Sequence, residues 1–409
     1  MTMKKSIILI AAMCMTSVMT FAQDIIRVST DKTDLVMKVS PKGRLYQVYL
    51  GDKFLNPADY NNLKWDVYAA SDGAVCQRGH EVYATSGAED FFEPAVAVTH
   101  ADGNMTTYLY YQSSEQKAVK GGTETIITLK DKVYPLTVKL HYVAYAKENV
   151  IKAWSEISHK EKAPITLWRY SSTMLYFKSN KYFLTNYHSD WAKEGQPETT
   201  QLSTGKKIID TKLGTRAAMQ AEPFFELGFD EPAKENEGKV MLGTIGWPGN
   251  FRFTFEVDNV GALRVIPAIN PYASDYKLKA GEVFTTPEFI FAMSDNGMGE
   301  ASRNLHNWAR QYQVNMGMED RLTLLNNWEN TGFDFDQKSL AELMKDAKDL
   351  GVDMFLLDDG WFANKYPRKD DHAGLGDWDA TKSKLPEGIP GLVRDAKKAG
   401  VKLSLIHIS

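Results

Sequence analysis

Cysteine is nearly absent from this chain: among 409 residues only Cys14 and Cys76 are cysteines. Cys14 lies in an amino-terminal segment that we expect to be removed, so Cys76 would remain alone. A lone cysteine excludes an intramolecular disulfide in the mature chain. We assign Cys76 no role, because a single cysteine without a recognisable histidine partner is more often a small buried hydrophobic residue than a nucleophile.

An excess of positive charge is also lacking, since 48 basic residues face 52 acidic ones and the net charge is −4. The sequence therefore has no electrostatic footprint for nucleic acid. Metal-ligand spacing, a glycine-rich phosphate loop and a Ser/His/Asp arrangement do not stand out either. We predict an enzyme or binding protein without a cofactor.

The only long apolar run lies at the amino terminus. Lys4 and Lys5 precede an apolar stretch at residues 6–21, and Thr20-Phe21-Ala22 is a small-residue cleavage site. This pattern predicts a signal peptide at residues 1–22, with export to the periplasm or the medium and no membrane attachment afterwards. The alternative is an uncleaved amino-terminal anchor, although the run is short and interrupted by Ser and Thr.

Residues 23–293 show the pattern of β-structure with little helical periodicity. Apolar residues occupy every second position in two clear runs: Leu136, Val138, Leu140 and Tyr142, and then Phe251, Phe253 and Phe255. Such alternation predicts half-buried strands. Asp102-Gly103 is typical of a hairpin turn. Many short strands over this length predict a large antiparallel sandwich.

The period changes after residue 293. One helical face is formed by Ala301, Leu305, Trp308, Ala309 and Tyr312. We interpret residues 294–320 as a helical linker.

From residue 321 onward, buried strands predicted at 322–325 and 354–357 and a third strand from 401 alternate with two helices, one at 337–350 and one that has Pro390 in its first turn. The first helix is expected to begin at a cap on Asp334 or Asp336 and to end at Gly351. The residues expected to be buried are Leu340, Leu343, Met344, Ala347 and Leu350 in the first helix, and Leu392, Val393 and Ala396 in the second. Repeated βα units predict a parallel sheet, open or closed into a barrel.

Polar and aromatic residues follow these strands. Asp358-Asp359-Gly360-Trp361 comes directly after the second one, where ligands bind in barrels and open sheets. Two carboxylates can accept hydrogen bonds from vicinal hydroxyls, and an indole can stack on a sugar. The alternative is an ordinary Asp-Gly turn. Trp328 and Trp361 could be core residues, but their position just beyond a strand favours a pocket lining.

A run of spaced motifs resembles glycoside hydrolase family 36, the bacterial α-galactosidases. The motifs are Leu324-Leu325-Asn326-Asn327-Trp328-Glu329, Phe333-Asp334-Phe335-Asp336, Leu356 to Phe362, Leu375-Gly376-Asp377-Trp378 and Lys384-Leu385-Pro386. Weaker similarities lie in residues 214–227 and 286–288. The resemblance implies a β-supersandwich at residues 23–293, the linker, and the start of a catalytic (β/α)8 barrel at residues 321–409.

The resemblance also implies roles for particular residues. Asp358 and Asp359 would hold the galactose 4- and 6-hydroxyls, and Trp328 would form a pocket wall. Trp361, Asp377 and Trp378 are further motif members that we include as substrate-binding candidates, with bracing of the long loop as the alternative. Family members are often oligomers, so the resemblance allows a homo-oligomer, but nothing in the sequence fixes the number of subunits.

The family mechanism is retaining hydrolysis by two aspartates on later barrel strands. Residues 321–409 are far fewer than the ~250 of a complete barrel. The final residues also depart from the family pattern, with Ile406 where a tryptophan is expected. We therefore expect a fragment that ends after about the third strand, with the nucleophile and the acid/base both encoded beyond Ser409.

Such a fragment would be inactive alone, since it would lack both catalytic aspartates. Two alternatives for the parent protein stay open: an α-N-acetylgalactosaminidase and a non-catalytic carbohydrate-binding protein.

Overall fold

The computed structural model describes residues 25–65, 80–88 and 90–406, which form two compact units that divide after Gly317. The described chain is mostly β-sheet with few helices. No helix within these described ranges is long and apolar enough to cross a membrane.

Several predictions fall outside the described residues. They concern the signal peptide, Cys14, Cys76 and the final residues 407–409. Ser409 belongs to this last group, so the structure places neither Ser409 nor the catalytic aspartates that we expect beyond it. The position of those aspartates stays a prediction.

The described part of the first unit contains 21 strands, all paired antiparallel with their sheet neighbours. They are β1 (Ile25–Ser29), β2 (Thr33–Val39), β3 (Leu45–Asp52), β4 (His80–Glu81), β5 (Val96–Thr99), β6 (Leu109–Val119), β7 (Gly122–Asp131), β8 (Leu136–Tyr145), β9 (Val150–His159), β10 (Ile165–Tyr170), β11 (Leu175–Lys178), β12 (Tyr182–His188), β13 (Gln196–Gln201), β14 (Gly205–Asp210), β15 (Ala221–Phe229), β16 (Val240–Ile245), β17 (Phe251–Val257), β18 (Ala262–Ile269), β19 (Tyr276–Leu278), β20 (Val283–Thr285) and β21 (Phe289–Ser294). Short 3-10 turns lie at Pro57–Asn62 and Gly214–Met219.

These strands form four sheets within the described ranges. Their orders are β1-β2-β3-β4, then β19-β10-β5, then β11-β18-β17-β14, and a ten-stranded sheet β13-β12-β15-β16-β21-β9-β8-β7-β6 in which β20 pairs with β9. Side chains from all four sheets share one apolar core. The alternation predicted for Phe251, Phe253 and Phe255 is confirmed, since all three rings are fully buried in it.

The half-buried pattern predicted for β8 is wrong in its second half. His141 is buried although the alternation puts it on the exposed face. Its ring stacks on Trp154 of β9, and its Nδ1 lies 2.8 Å from Glu124 of β7. Long side chains from both neighbouring strands therefore cover this face, which a single strand's pattern cannot reveal.

The turn predicted at Asp102-Gly103 is present, but it does not join a hairpin. Gly103 has φ +88, and its N–H donates to the His100 carbonyl. However, β5 before the turn pairs with β10, whereas β6 after it pairs with β7. The prediction of a hairpin is wrong because strand pairing depends on distant partners, not on the turn alone.

A helix follows the last strand of the first unit. It is α1 (Gly297–Trp308), and a π-helical turn at Ala309–Gln313 continues it. The predicted apolar face is confirmed: Ala301 and Trp308 are buried against residues of the ten-stranded sheet, and Leu305 packs beside them. This face fixes the helix on the outer surface of that sheet.

The second unit alternates strands with helices. Its elements are β22 (Leu324–Asn326), α2 (Trp328–Thr331), α3 (Gln337–Asp349), β23 (Met354–Leu357), α4 (Gly388–Ala399) and β24 (Lys402–Leu405). The strands lie in the order β22-β23-β24 and all pair in parallel, as predicted. Their carboxyl ends therefore meet at one edge of the sheet.

The helix boundaries follow from their capping residues. Asp336, one of the two predicted caps, accepts a hydrogen bond from the Ser339 N–H at 2.8 Å and forms a capping box with this residue. Gly351 follows α3 with φ +85, and Gly400 follows α4 with φ +82. Both glycines adopt the left-handed conformation that ends a helix at little steric cost.

Four residues predicted to be buried are exposed, and the first of them, Leu322, also precedes β22, which begins at Leu324. Leu324 is half exposed because β22 has a sheet neighbour on one side only in the described chain. Leu350 follows the last turn of α3 and is 78% exposed, and Val393 lies at the margin of the buried face of α4. The remaining apolar faces form a core around Leu340, Met344, Phe355, Leu357 and Leu392.

Candidate functional site

The amide side chain of Asn326 joins the ends of the first two parallel strands. Its Nδ2 donates to Asp358 Oδ2 at 2.6 Å, and its Oδ1 accepts the Trp328 N–H at 2.8 Å. Because β22 and β23 are parallel and in register, Asn326 and Asp358 reach the same edge of the sheet. The structure thus brings Asp358 and Trp328 together through one side chain.

The buried side chain of Asn327 fixes the backbone at the same place. Its Oδ1 accepts the Asp358 N–H at 2.7 Å, and its Nδ2 donates to Thr331 Oγ1 at 2.7 Å. Asn327 is fully buried. A buried amide with both ends bonded holds the end of β23 in a single conformation.

Asp359 binds a buried arginine. Arg368 donates from Nε to Oδ1 at 2.5 Å and from Nη2 to Oδ2 at 2.6 Å. The hydrogen bonds that Arg368 donates to Asp359 raise the pKa of Arg368, so this guanidinium stays charged. The next residue, Gly360, has φ +91, and a Cβ there would lie 2.9 Å from the Phe333 ring. Only glycine allows the chain to turn here without strain.

A lysine also reaches this turn. Lys384 Nζ donates to the carbonyls of Phe333 at 2.7 Å and of Gly360 at 3.1 Å, and it lies 4.6 Å from the centre of the Phe335 ring. Burial lowers the pKa of Lys384. Lys384 therefore ties together the loops that follow β22 and β23.

The four remaining candidates occupy different environments. Trp328 is half-buried, with its ring edge-on to Phe333 at 4.9 Å. Trp361 is 5% exposed in the core, a position that fits bracing of the loop better than contact with a sugar. Trp378 is half exposed, and its ring lies 4.7 Å from the buried Phe362. Asp377 accepts the Asn364 N–H at 3.1 Å, within the loop.

The arrangement offers carboxylates and aromatic rings rather than metal ligands. In residues 25–65, 80–88 and 90–406, no three His, Cys, Asp or Glu side chains lie close enough to hold a metal ion. Carboxylates fixed at a strand edge beside a half-exposed indole can hold the hydroxyls and the apolar face of a sugar.

Comparison with known proteins identifies the family of the chain. The model of the glycosyl hydrolase family 36 N-terminal domain matches residues 43–279, and the melibiase model matches residues 283–407. The chain belongs to glycosyl hydrolase family 36. The family domain covers most of the first unit, and the melibiase domain includes every candidate site residue.

The relatives described next are α-galactosidases by name. Alpha-galactosidase AgaA of Geobacillus stearothermophilus is 32% identical over 342 residues, which are 79% of this chain and 46% of the relative. The structure of the α-galactosidase from Lactobacillus brevis is 27% identical with a TM-score of 0.86, and the match covers 94% of this chain and 55% of that one. The structure of an AgaA variant from the same organism in complex with raffinose is 28% identical with a TM-score of 0.84. That match covers 93% of this chain and 56% of the other one. The chain spans about half the length of the curated relatives it matches.

Several residues of this candidate site were not predicted from the sequence. Asn326 could have been assigned a role, because it ends a parallel strand beside the one that carries Asp358. Arg368 and Lys384 had no such signal, since nothing in their spacing indicates that a long loop returns them to Asp359 and Gly360. Their contributions depend on the tertiary path of that loop.

Proposed function

We propose that the whole protein is a retaining α-galactosidase that removes terminal α-galactosyl residues from oligosaccharides or glycans. The observation that carries this proposal is the position of Asp358 and Asp359 at the carboxyl end of β23, in a chain of family 36. The names of the relatives support the same activity, although the chain spans about half of their length.

We propose the following division of the chain, which refines the two compact units. Residues 23–293 are the β-supersandwich, residues 294–320 the helical linker, and residues 321–409 the start of a (β/α)8 barrel. The parallel order of β22, β23 and β24 and their alternation with α3 and α4 support a barrel. The edge position of β22 in the described sheet leaves room for a further strand beside it.

Asp358 and Asp359 would hold the galactose hydroxyls at positions 4 and 6. O4 is axial in galactose and equatorial in glucose, so a carboxylate that requires this hydrogen bond rejects the glucose epimer. Trp328 would form a wall of the pocket. Asp377 and Trp378 would be further substrate-binding residues, because the Trp378 ring is half exposed on the loop after β23.

Neither Asp358 nor Asp359 is proposed as the nucleophile or the acid/base. Their side chains are tied to Asn326 and Arg368, and adjacent residues at a strand end point in different directions. Retaining hydrolysis requires two carboxyl groups roughly 5–5.5 Å apart on either side of one bond. We propose that aspartates on later barrel strands of the whole protein, beyond Ser409, supply them.

The proposed substrates are soluble α-galactosides met outside the cytoplasm. A relative has been crystallised with raffinose, and the sequence pattern of residues 1–22 supports export. The protein would act without a cofactor or nucleic acid, as a homo-oligomer, and without membrane attachment once the signal is cleaved.

Hydrolysis of p-nitrophenyl α-galactoside by the whole protein tests this function. We expect turnover, with the α-anomer of galactose as the first product seen by proton NMR. The N-acetylgalactosamine analogue and the α-glucoside serve as controls. Preference for the N-acetylated substrate would identify an α-N-acetylgalactosaminidase instead, and galactose binding without turnover would identify a carbohydrate-binding protein.

A further inference from the structure

The contact between Arg368 and Asp359 has a geometry that fixes both side chains. The guanidinium meets the two carboxylate oxygens with separate nitrogens, at 2.5 and 2.6 Å. The side chains are 5% and 14% exposed. A bidentate charge-assisted pair of this kind constrains orientation as well as charge.

Other groups hold the guanidinium from several sides. Arg368 Nη1 donates to the Ala373 carbonyl at 2.8 Å. The guanidinium carbon lies 5.6 Å from the centre of the Phe333 ring and 5.5 Å from that of Phe362. Aromatic rings favour a cation at this distance and also exclude water. Lysine could not reproduce this planar two-point contact.

The hydrogen bonds make the two adjacent carboxylates unequal. Oδ1 of Asp359 accepts from Arg368 and also from the Gly360 N–H at 2.6 Å, so both of its lone pairs are used. Asp358 accepts from Asn326 on one oxygen and from the Asp359 N–H on the other. Each oxygen of Asp358 thus has one occupied lone pair and room for a second donor.

We propose that Arg368 is a positioning residue, which orients Asp359 so that this carboxylate can accept a hydrogen bond from a substrate hydroxyl. This inference rests on the proposed function. The donors of Arg368 are directed at Asp359, at the Ala373 carbonyl and, at 3.4 Å, at Asp371, so its proposed role requires no contact with the sugar. Without the guanidinium, Asp359 would lose its bidentate partner and its carboxylate would be free to rotate, with Lys384 as the remaining cation nearby.

The test uses the whole protein with Arg368→Lys and Arg368→Ala. We expect KM for p-nitrophenyl α-galactoside to rise about 10- to 100-fold in Arg368→Ala, with a smaller change in kcat and a smaller rise in Arg368→Lys. Added guanidinium should partly restore KM in Arg368→Ala. The acidic limb of kcat/KM should move to higher pH in Arg368→Ala, because the carboxylate loses its cation, and should move less in Arg368→Lys, which keeps a positive charge.

Galactosides that lack one hydroxyl distinguish a role of Arg368 in positioning Asp359 from a general loss of protein stability. Wild-type protein should discriminate against the 4-deoxy or the 6-deoxy galactoside, and Arg368→Ala should lose that discrimination for the hydroxyl that Asp359 holds. Lys369→Met removes the adjacent exposed cation and should behave as wild type. If wild type hydrolyses galactosides while the Arg368 variants keep its KM and its deoxy discrimination, the inference is wrong. A wild-type protein without turnover would instead refute the proposed function.

Discussion

Asn326 donates a 2.6 Å hydrogen bond to the carboxylate of Asp358, across the ends of two neighbouring parallel strands. This bond holds one oxygen of the carboxylate in place. It also couples the strand end to Trp328, whose backbone N–H binds the same Asn326 side chain. The candidate sugar-binding group is therefore oriented before any ligand arrives.

Replacing Asp358 tests its proposed role directly. Asp358→Asn preserves size but removes the charge and one acceptor, so we expect kcat/KM of the whole protein for α-galactosides to fall by at least about 100-fold. Steady-state kinetics would measure this loss. Asp346→Asn, at an exposed position of α3, is the matched control and should have no effect. An unchanged kcat/KM in Asp358→Asn would remove this residue from the site.

The buried Asn327 should matter for stability more than its size suggests. Asn327→Leu leaves the Asp358 N–H without its acceptor and removes the donor to Thr331 Oγ1, and an unsatisfied buried group costs about 1–3 kcal/mol. Thermal unfolding of the whole protein, followed by tryptophan fluorescence, would show a lower midpoint. Asn330→Leu, on the exposed side of the same short helix, should leave the midpoint nearly unchanged.

The apolar core beneath the site can be tested at α3. Met344 is fully buried, so Met344→Ala should lower the free energy of unfolding by about 2–5 kcal/mol. Leu350→Ala removes a side chain that is 78% exposed and should cost no more than about 0.5 kcal/mol. Urea titration measures both. Equal losses would mean that Leu350 is covered in the whole protein.

His80 should make the first unit sensitive to acid. Its ring is buried and stacks on Tyr176 at 4.3 Å, and burial together with the nearby Arg264 lowers the pKa of His80 to about 4. The folded state then binds fewer protons than the unfolded state, whose histidine titrates near ~6.5. The stabilisation is complete above pH ~6.5 and is lost as the pH falls towards 4, by up to about 3 kcal/mol.

His80→Phe keeps the stacked ring but cannot titrate. We expect its unfolding midpoint to depend less on pH between ~6.5 and 4 than that of wild type. His372→Phe replaces a histidine that is almost fully exposed and serves as the control. A wild-type midpoint that is flat over this range would contradict the effect of burial.

The 409-residue chain by itself should respond unevenly to limited proteolysis. Within the described ranges the strands β22 and β24 each have one neighbour, and Leu322 and Leu324 are exposed beside them. Unpaired strand edges and exposed apolar residues favour aggregation or local opening. We expect a protected fragment that ends near Gly317 and rapid cleavage beyond it. Protection that extends past Arg321 would contradict this expectation.

Local patterns predicted much of the second unit. The strand Met354–Leu357 was predicted with its observed bounds, and α3 begins at the predicted residue after the predicted cap Asp336. The positions of the strand, of the cap and of the glycine that ends the helix depend on neighbouring residues. A single stretch of sequence is therefore enough to predict them. The exposure of Leu350 was missed because it depends on what lies opposite the end of α3.

Pairing between distant residues could not be predicted in this way. The turn at Asp102-Gly103 was recognised, yet the partners of β5 and β6 were not, because each pairs with a strand chosen by packing elsewhere. The burial of His141 depends in the same way on Trp154 and Glu124 from adjacent strands.

The alternation of strands with helices in the second unit, and the two adjacent carboxylates after a buried strand, could be predicted from the residues alone. Periodicity and turn chemistry are local, so these features needed no knowledge of the fold. Only the tertiary structure decided that Asp359 is held by Arg368 while Asp358 is oriented by Asn326. A long loop brings Arg368 to this sheet edge, and the neighbouring strand brings Asn326 there. Each of them donates to a different aspartate, so two adjacent residues of the same type acquire different partners.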